Sequence, residues 1–352
     1  MDESLLQDRF ILPFLHDTLG YREVRPNTVS NALVIEEDLE AFVAATTLNA
    51  KAYATLLRKY GGDRKQLLAE LVALIQERSG SSRNNALFLN ANKSVTLRDV
   101  RLHLFYPSES AIHGDDLFSQ NIFSVVQELP YIYKVNDQTI YSFRPDLSFF
   151  VNGVYLGYSE LKSNFMGQRA ASNGRGKVVK DYFEAVRAYY ETFERNAVLN
   201  EAERTARRRD FLKVFERAIH ITATDVGETY VIRNLPDFFE EMLSLCREGR
   251  FDRQLIEEKV LREFKPYPLR NPAAEKADKV KEIFTAHYAR SAIEQEILYY
   301  NFIEREVYKV AGVKELKEER GVLISPRPKQ KFGTDKILDK IDEFLAHEGE
   351  DD

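Results

Sequence analysis

The chain has 352 residues, of which 44% are hydrophobic and 30% are charged. This composition predicts a globular protein with a sizeable core and excludes a chain that is disordered throughout. The formal net charge of −6 excludes a protein that coats nucleic acid by bulk electrostatics alone, although a local basic groove is compatible with it. Cys246 is the single cysteine, no secretory leader opens the sequence and no long apolar run is present, so we expect a cytoplasmic protein without a membrane role.

The first 80 residues contain stretches with the periodicity of α-helices. Apolar residues recur at helical spacing over 5–19, and Gly20 follows where a helix commonly ends. A second helical stretch, 50–75, is interrupted at Gly61-Gly62, and turn-rich sequence over 78–85 follows it. We therefore predict an opening helix and further helix before the texture changes near residue 95.

Strand-like sequence fills residues 95–162, where "RLHLFYP" and "NIFSVVQEL" are β-branched and aromatic runs. Helical periodicity returns in "KVVKDYFEAVRAYYETFERNAVL", an apolar strand follows in "FERAIHITATD", and "LPDFFEEMLSLCREG" reads as a helix begun by Asp237. This order of helix, strands, helix, strand and helix predicts a single α/β domain over residues 1–245.

The C-terminal third has a different organisation. Three prolines in "FKPYPLRNP" mark 246–272 as the end of a helix and a Pro-containing linker. A charged stretch, 274–309, reads as a long helix, and a further short helix follows the Pro-rich "PRPKQKFGTDKI". We expect 273–352 to form a mainly helical region.

The segment "RPDLSFFVNGVYLGYSELKSN" combines a hairpin signal with charged residues. Asn152-Gly153 between apolar strands predicts a β-hairpin, because both residues tolerate positive φ. Side chains alternate between the faces of a strand, so Glu160 and Lys162 lie on one face of the return strand.

The face on which Asp146 lies depends on the hairpin loop. A two-residue loop with an unbroken register places Asp146 opposite Ser159, pointing away from Glu160. A three-residue loop, with Gly153 in the left-handed position of a bulge, places Asp146 diagonal to Glu160. We therefore predict the three-residue loop, or else a kink beside Pro145 that swings Asp146 across.

Two neighbouring carboxylates with a lysine suit phosphodiester hydrolysis. Mg²⁺ prefers oxygen ligands and keeps several waters, so one or two carboxylates and a substrate phosphate complete its shell. A lysine beside such a site can orient water and offset charge on the phosphate. The alternative interpretation is a surface set of ion pairs among Arg144, Glu160 and Lys162, which predicts exposed side chains and no cleft.

The same bare pattern occurs a second time. Pro236-Asp237 is followed by Glu257-Glu258-Lys259, but this match lies in helical sequence, where residues two apart do not share a face. Asp237 there is most simply a helix N-cap. Only the first match has a hairpin to direct its side chains.

A basic cluster provides candidate DNA contacts. Six cationic residues occur within fourteen positions, and those that we select as DNA-binding candidates are Arg207, Arg208, Arg209 and Lys213. Acidic residues are interleaved with them, so a solvated helix face is the alternative interpretation.

The hairpin segment closely resembles the nuclease motif of the restriction (R) subunit of type I restriction-modification enzymes. That motif runs Arg-Pro-Asp, an apolar strand, Phe-Val-Asn-Gly, a second strand and Glu-Leu-Lys. The resemblance implies an α/β PD-(D/E)xK restriction-endonuclease-like core, a mixed sheet flanked by helices, that acts as a DNA endonuclease. It further implies Asp146 and Glu160 as metal ligands, Lys162 as the catalytic lysine, and Mg²⁺ as the cofactor with Mn²⁺ as a substitute.

Other elements of that family match less closely. Its Gln-x-x-x-Tyr element has no clean counterpart after Lys162, although Tyr182 and Tyr190 are candidates for the tyrosine. An early acidic residue of the family corresponds to Glu3 or Asp8. The implied partners are double-stranded DNA and the methylation and specificity subunits, and a catalytically silent scaffold that binds DNA or other subunits is the alternative.

Such subunits carry an ATP-driven motor after the nuclease. The sequence contains no G-x-x-x-x-G-K-[ST] phosphate loop, so we expect ATP to bind only in an intact protein that has the motor. Gln330 resembles the adenine-reading glutamine at the entry to such a motor, and an ordinary exposed polar residue is the alternative.

Overall fold

The structure is a computed structural model that describes residues 6–78, 94–108, 116–163, 167–197, 199–233, 235–299, 302–309, 317–324 and 328–348. The opening segment is helical in two π-helical stretches, Gln7–Ile11 and Phe14–Thr18. The α-helices are α1 (Glu36–Ala45), α2 (Ala50–Lys59), α3 (Arg64–Arg78), α4 (Arg175–Tyr189), α5 (Glu201–Phe211), α6 (Lys213–Glu216), α7 (Phe239–Arg247), α8 (Gln254–Glu263), α9 (Lys276–Tyr288), α10 (Arg290–Leu298) and α11 (Pro328–Glu348). The strands are β1 (Arg22–Val24), β2 (Ser94–Leu97), β3 (Val100–His103), β4 (Phe123–Gln127), β5 (Tyr131–Val135), β6 (Gln138–Phe143), β7 (Leu147–Val151), β8 (Val154–Leu161), β9 (His220–Thr224), β10 (Thr229–Ile232), β11 (Lys265–Pro266), β12 (Phe302–Lys309) and β13 (Lys317–Ile324).

A seven-stranded mixed sheet forms the centre of the fold, in the order β1-β4-β7-β8-β9-β10-β11. The pairs β1–β4 and β8–β9 are parallel, and the other neighbours are antiparallel. Strand pairs β2–β3, β5–β6 and β12–β13 each form a separate two-stranded sheet. The expected α/β class with a mixed sheet flanked by helices is confirmed.

Each face of the sheet covers its own hydrophobic core. Helices α1 to α3, α9 and α10 pack on one face, which we call the α9 face; Phe149 and Val151 point into it. Helices α4, α7 and α8 pack on the other, the α4 face, into which Phe150 and Tyr155 point. Because both faces are buried, β7 and β8 are apolar along most of their length rather than alternating.

The helices after residue 272 are part of this core. The Tyr288 ring stacks on Phe149 with ring centroids 3.8 Å apart, and its hydroxyl lies 2.7 Å from the Thr222 hydroxyl. The segment 246–272 contains α8 and also β11, which pairs with β10, so it is more than the expected linker.

The predicted long helix over 274–309 is wrong beyond Leu298. Helix α10 ends at Leu298, and Phe302–Lys309 is a strand paired with β13. Phe302, Ile303, Val307 and Tyr308 are residue types that favour strands, a preference that the dense charge of the segment obscured.

The predicted break at Gly61-Gly62 is confirmed, because α2 ends at Lys59 and both glycines have positive φ. Within the described ranges, none of the helices has the length and apolar character to cross a membrane.

Candidate metal centre

The β7–β8 hairpin has a two-residue turn. Val151 pairs with Val154, and Asn152 and Gly153 have φ of 49° and 79°. The Asn152 side chain is buried and accepts a hydrogen bond of 2.7 Å from the Ile122 backbone N–H. The predicted three-residue loop is wrong, because two successive residues with positive φ already close a tight turn whose twist suits the flanking strands.

A β-bulge in β8 then changes the register. Phe150 pairs with Tyr155 but Phe149 pairs with Gly157, so Leu156 is an extra residue without a partner across the hairpin. After the bulge Leu147 pairs with Ser159, and one further step of this register brings Asp146 opposite Glu160. The bulge, instead of a longer loop, therefore places both carboxylates on the α4 face.

Glu160 is buried and contacts two lysines. Its side chain is 1% exposed; Oε1 accepts a hydrogen bond of 2.7 Å from Lys162 Nζ, and Oε2 accepts one of 2.6 Å from Lys177 Nζ. Lys162 Nζ also donates to the Leu161 carbonyl oxygen at 2.5 Å. The surface ion-pair interpretation is wrong, because Glu160 and Lys162 are buried, whereas the exposed Arg144 lies 3.5 Å from Glu128 instead.

Asp146 is held at the start of β7 beside this group. Its Oδ2 accepts a hydrogen bond of 2.6 Å from the Leu161 backbone N–H. Burial and the negative charge of Glu160 raise the pKa of Asp146 to about 7, against the opposing effects of Lys177 and Lys162. A second negative charge beside Glu160 is therefore unfavourable in the absence of further positive charge.

Helix α4 brings two further charged side chains to the site, Lys177 and Asp181. They lie four residues apart and so share one face of the helix. Burial raises the pKa of Asp181 to about 7; Lys177 opposes this rise, and Glu160 adds to it. Sequence reasoning missed both residues, although their spacing equals that of the Gln-x-x-x-Tyr element sought after Lys162.

The close approach of α4 to the sheet depends on Gly174. A Cβ at this position would lie 3.1 Å from Ala223 Cβ and 3.4 Å from Lys162 Cγ. Arg175 fixes the start of the helix, because its Nη1 donates to the Phe264 carbonyl oxygen at 3.1 Å. A larger residue at Gly174 would push the helix, and Lys177 with it, away from Glu160.

The other candidate supporting residues lie apart from this site. Tyr182 is fully buried against Phe215, with its hydroxyl 3.5 Å from Glu216 Oε1. Tyr190 is half-buried beyond the end of α4. Asp8 is exposed in the opening helix, and Glu3 lies outside the described residues. The structure therefore brings none of the three described candidates to Asp146 and Glu160.

The basic cluster is largely committed to contacts within the protein. Arg208 Nε donates to Glu216 Oε1 at 2.8 Å, and its guanidinium lies 4.0 Å from the Phe239 ring centroid. Lys213 is 7% exposed and lies 3.4 Å from Asp210. Both are therefore poorly placed to contact DNA.

Three further candidates stay predictions. Arg207 is exposed and Arg209 is half-buried, so both keep access to solvent for a DNA contact. Gln330 is exposed on α11.

The second acidic motif does not assemble. Asp237 lies in the 3-10 turn Leu235–Phe238 and does not cap α7, whose N-cap is Phe238. Glu257 and Lys259 are on α8, where Glu257 pairs with Arg253 and Lys259 with Glu241. The hairpin, and not the bare residue pattern, distinguishes the two matches.

The donor set at Asp146 and Glu160 fits a hard divalent cation. Two carboxylates suit Mg²⁺, which keeps several waters and completes its shell with substrate oxygens. Among the described residues, no group of three or more His, Cys, Asp or Glu side chains converges to hold a metal ion by itself. A cation bound here would therefore depend on water or a phosphate for its remaining ligands.

Comparison with known proteins identifies the family. The model of the family described as type I restriction enzyme R protein N terminus (HSDR_N) matches residues 1–206, which is more than half of the 352-residue chain. None of the curated proteins matches the chain. The matched range contains β7, β8 and α4, and with them every residue of the candidate site. The chain belongs to the family of type I restriction enzyme R protein N-termini.

Proposed function

We propose that this chain is the metal-dependent DNA endonuclease domain of a type I restriction enzyme R subunit, with a PD-(D/E)xK core. The observation that carries the proposal is the β7–β8 register, which pairs Leu147 with Ser159 and so brings Asp146 opposite Glu160, with Lys162 Nζ 2.7 Å from the Glu160 carboxylate. All three residues lie within the range that matches the family.

The arrangement of elements around the site supports this core. A tight hairpin, β7–β8, carries the two carboxylates and the lysine, α4 crosses their face, and β9 then pairs parallel to β8. Parallel pairing requires a crossover connection, and the segment that contains α4 provides it. One rigid framework therefore fixes all the charged side chains of the site.

The protein groups have distinct roles in the proposed reaction. Asp146 and Glu160 would hold a divalent cation, Mg²⁺ or Mn²⁺ in its place, which when bound supplies the charge that activates water and polarises the scissile phosphate. Lys162 Nζ, positioned by the Leu161 carbonyl oxygen, offsets the negative charge that develops on the phosphate. The Leu161 N–H fixes the Asp146 carboxylate toward the same point.

The proposed substrate is double-stranded DNA, and the proposed partners are the methylation and specificity subunits of a restriction-modification complex. Arg207 and Arg209 are the remaining candidate contacts to the DNA backbone, because their side chains reach solvent. ATP has a role only in an intact subunit that carries the motor.

The test is nicking of supercoiled plasmid with Mg²⁺ or Mn²⁺. Lys162→Ala should lower the nicking rate by about 100-fold or more, a typical loss for one electrostatic group of an active site. Glu257→Ala removes the matching acid of the second motif, which lies in an ion pair on α8, and should leave the rate unchanged.

The outcomes separate the competing assignments. Equal nicking by wild type and Lys162→Ala would show that the site lies elsewhere. A wild-type protein that binds duplex DNA but does not nick it with either cation would favour the catalytically silent scaffold.

A further inference from the structure

Glu160 has more positive charge around it than a metal ligand requires. Lys162 and Lys177 contact different oxygens of its carboxylate, at 2.7 and 2.6 Å. A divalent cation at the same carboxylate would place two ammonium groups close to it, and like charges at such distances repel strongly in a buried site. Binding of the cation therefore favours the departure of one lysine.

Lys177 is the lysine that can leave. Its side chain is 37% exposed, whereas that of Lys162 is 9% exposed. Lys162 also donates to the carbonyl oxygen of Leu161, the residue whose backbone N–H binds Asp146. Lys177 reaches the site from the first turn of α4, so a rotation of its side chain moves the ammonium group without any change in the backbone.

A second partner for Lys177 lies one helical turn away. Asp181 Oδ2 is buried and has no hydrogen-bond partner among the described residues. Residues four apart on a helix are neighbours, and a lysine and an aspartate at this spacing can pair. Asp181 is thus a buried acceptor placed within reach of the one cationic side chain that must be displaced.

We propose that Lys177 is an internal counter-ion that neutralises Glu160 in the metal-free protein and moves to Asp181 when a divalent cation binds. This inference rests on the proposed metal site and deepens it. Lys177 and Asp181 are then positioning residues, since they set the affinity for the cation without ligating it. Their Lys-x-x-x-Asp spacing equals that of the Gln-x-x-x-Tyr element of the family, which has no clean counterpart on α4.

The test is the affinity of the full chain for Mn²⁺, measured without DNA by isothermal titration calorimetry and by electron paramagnetic resonance of the free ion. Lys177→Met should raise the affinity about tenfold, because a charge that competes for Glu160 is removed. Lys177→Gln should act in the same direction. Asp181→Asn should lower the affinity, because Lys177 then has no second partner and stays on Glu160.

The decisive quantity is the coupling between the two positions. In the Lys177→Met background, Asp181→Asn should have little effect, because the lysine that it serves is absent. The matched control is Lys180→Met with Glu184→Gln, an ion pair of 3.7 Å on the same helix whose side chains are about half exposed. These control variants should not couple and should change the affinity little.

Other results would overturn the inference. An unchanged or weakened affinity in both Lys177 variants would show that the lysine does not compete with the cation. Equal losses from Asp181→Asn with and without Lys177 would show that Asp181 acts by long-range electrostatics alone. If Mn²⁺ binds neither the wild type nor any variant, or binds Glu160→Gln as tightly as wild type, the proposed metal site fails and the inference fails with it.

Discussion

The two faces of the central sheet each bury a charged group, and the two groups are balanced differently. On the α9 face, Glu296 receives two hydrogen bonds from Arg233, at 2.7 and 3.1 Å. Burial alone would raise the pKa of Glu296, but Arg233 outweighs it and lowers the pKa to about 2. On the α4 face, Asp146 has its pKa raised to about 7. A carboxylate with a matched internal cation stabilises the fold, whereas a carboxylate without one is suited to receive a cation from outside.

The neighbours of the two groups strengthen this contrast. The buried cation Lys331 and the buried His220 lie near Glu296, and the His287 ring lies 6.3 Å from that of His220. Burial lowers the pKa of His220 to about 4, so the imidazole is neutral at pH 7. The α9 group thus has two cations, Arg233 and Lys331, for Glu296 and the nearby Asp335, whereas the α4 group has three carboxylates for two lysines.

The largest expected effect comes from removing the matched cation of the α9 face. Arg233→Met removes the guanidinium that pairs with the buried Glu296, and we expect a loss of about 3–5 kcal/mol in the free energy of unfolding. Denaturation in urea measures it. The control is Arg262→Met, which removes an exposed pair with Glu258 and should cost less than about 1 kcal/mol. If the two variants lose equal stability, the α9 group is not a structural pair.

The next effect is a dependence of stability on pH that originates on the α9 face. His220 has its folded-state pKa lowered to about 4, so below pH 6.5 the unfolded chain binds a proton that the folded protein does not. Stability should therefore fall by about 3 kcal/mol as the pH is lowered from 6.5 to 4. Glu296 stays ionised across this window because its pKa is about 2. His220→Leu should flatten this part of the profile, and a profile identical to wild type would contradict the assignment.

The smallest effect has the opposite sign and belongs to the α4 face. The pKa of Asp146 is raised in the folded state, so its contribution to stability is present at low pH and is lost as the pH rises through 7. Asp146→Asn should therefore increase the free energy of unfolding at pH 8 by about 1 kcal/mol, and the proposed function predicts that the same change abolishes cleavage. Glu296→Gln is the matched variant on the α9 face and should destabilise the protein. If Asp146→Asn and Glu296→Gln both destabilise the protein, the distinction between the two faces is contradicted.

Local signals were sufficient to predict the hairpin and the residues that it carries. Asn152-Gly153 marked the turn, and the alternation of side chains placed Glu160 and Lys162 on one face. The bulge at Leu156 was not predictable from local sequence, and it adjoins a close contact between β8 and the distant strand β9. Gly157 approaches the His220 backbone so closely that a Cβ would clash with the His220 carbonyl oxygen. The sequence around Gly157 does not indicate that His220 will lie beside it.

Other failures of the sequence analysis also arise from contacts between distant parts of the chain. Lys177 and Asp181 become site residues only because α4 packs across β8, and the sequence near them contains no acid-x-Lys pattern. Arg208 and Lys213 were counted as surface charges because their partners, Glu216 among them, can be recognised only in the folded chain. The helix predicted at 302–309 is a strand, because this segment pairs with β13.

The bulge has a consequence for how related sequences are searched. The bulge adds one residue to β8. The number of residues between Asp146 and Glu160 can therefore be odd or even while their side chains still lie opposite each other. A search that fixes the spacing between the Pro-Asp and Glu-x-Lys elements would therefore reject genuine relatives. Alignments of such sequences should allow spacers of both odd and even length, and should require instead that a tight turn lies between the two elements.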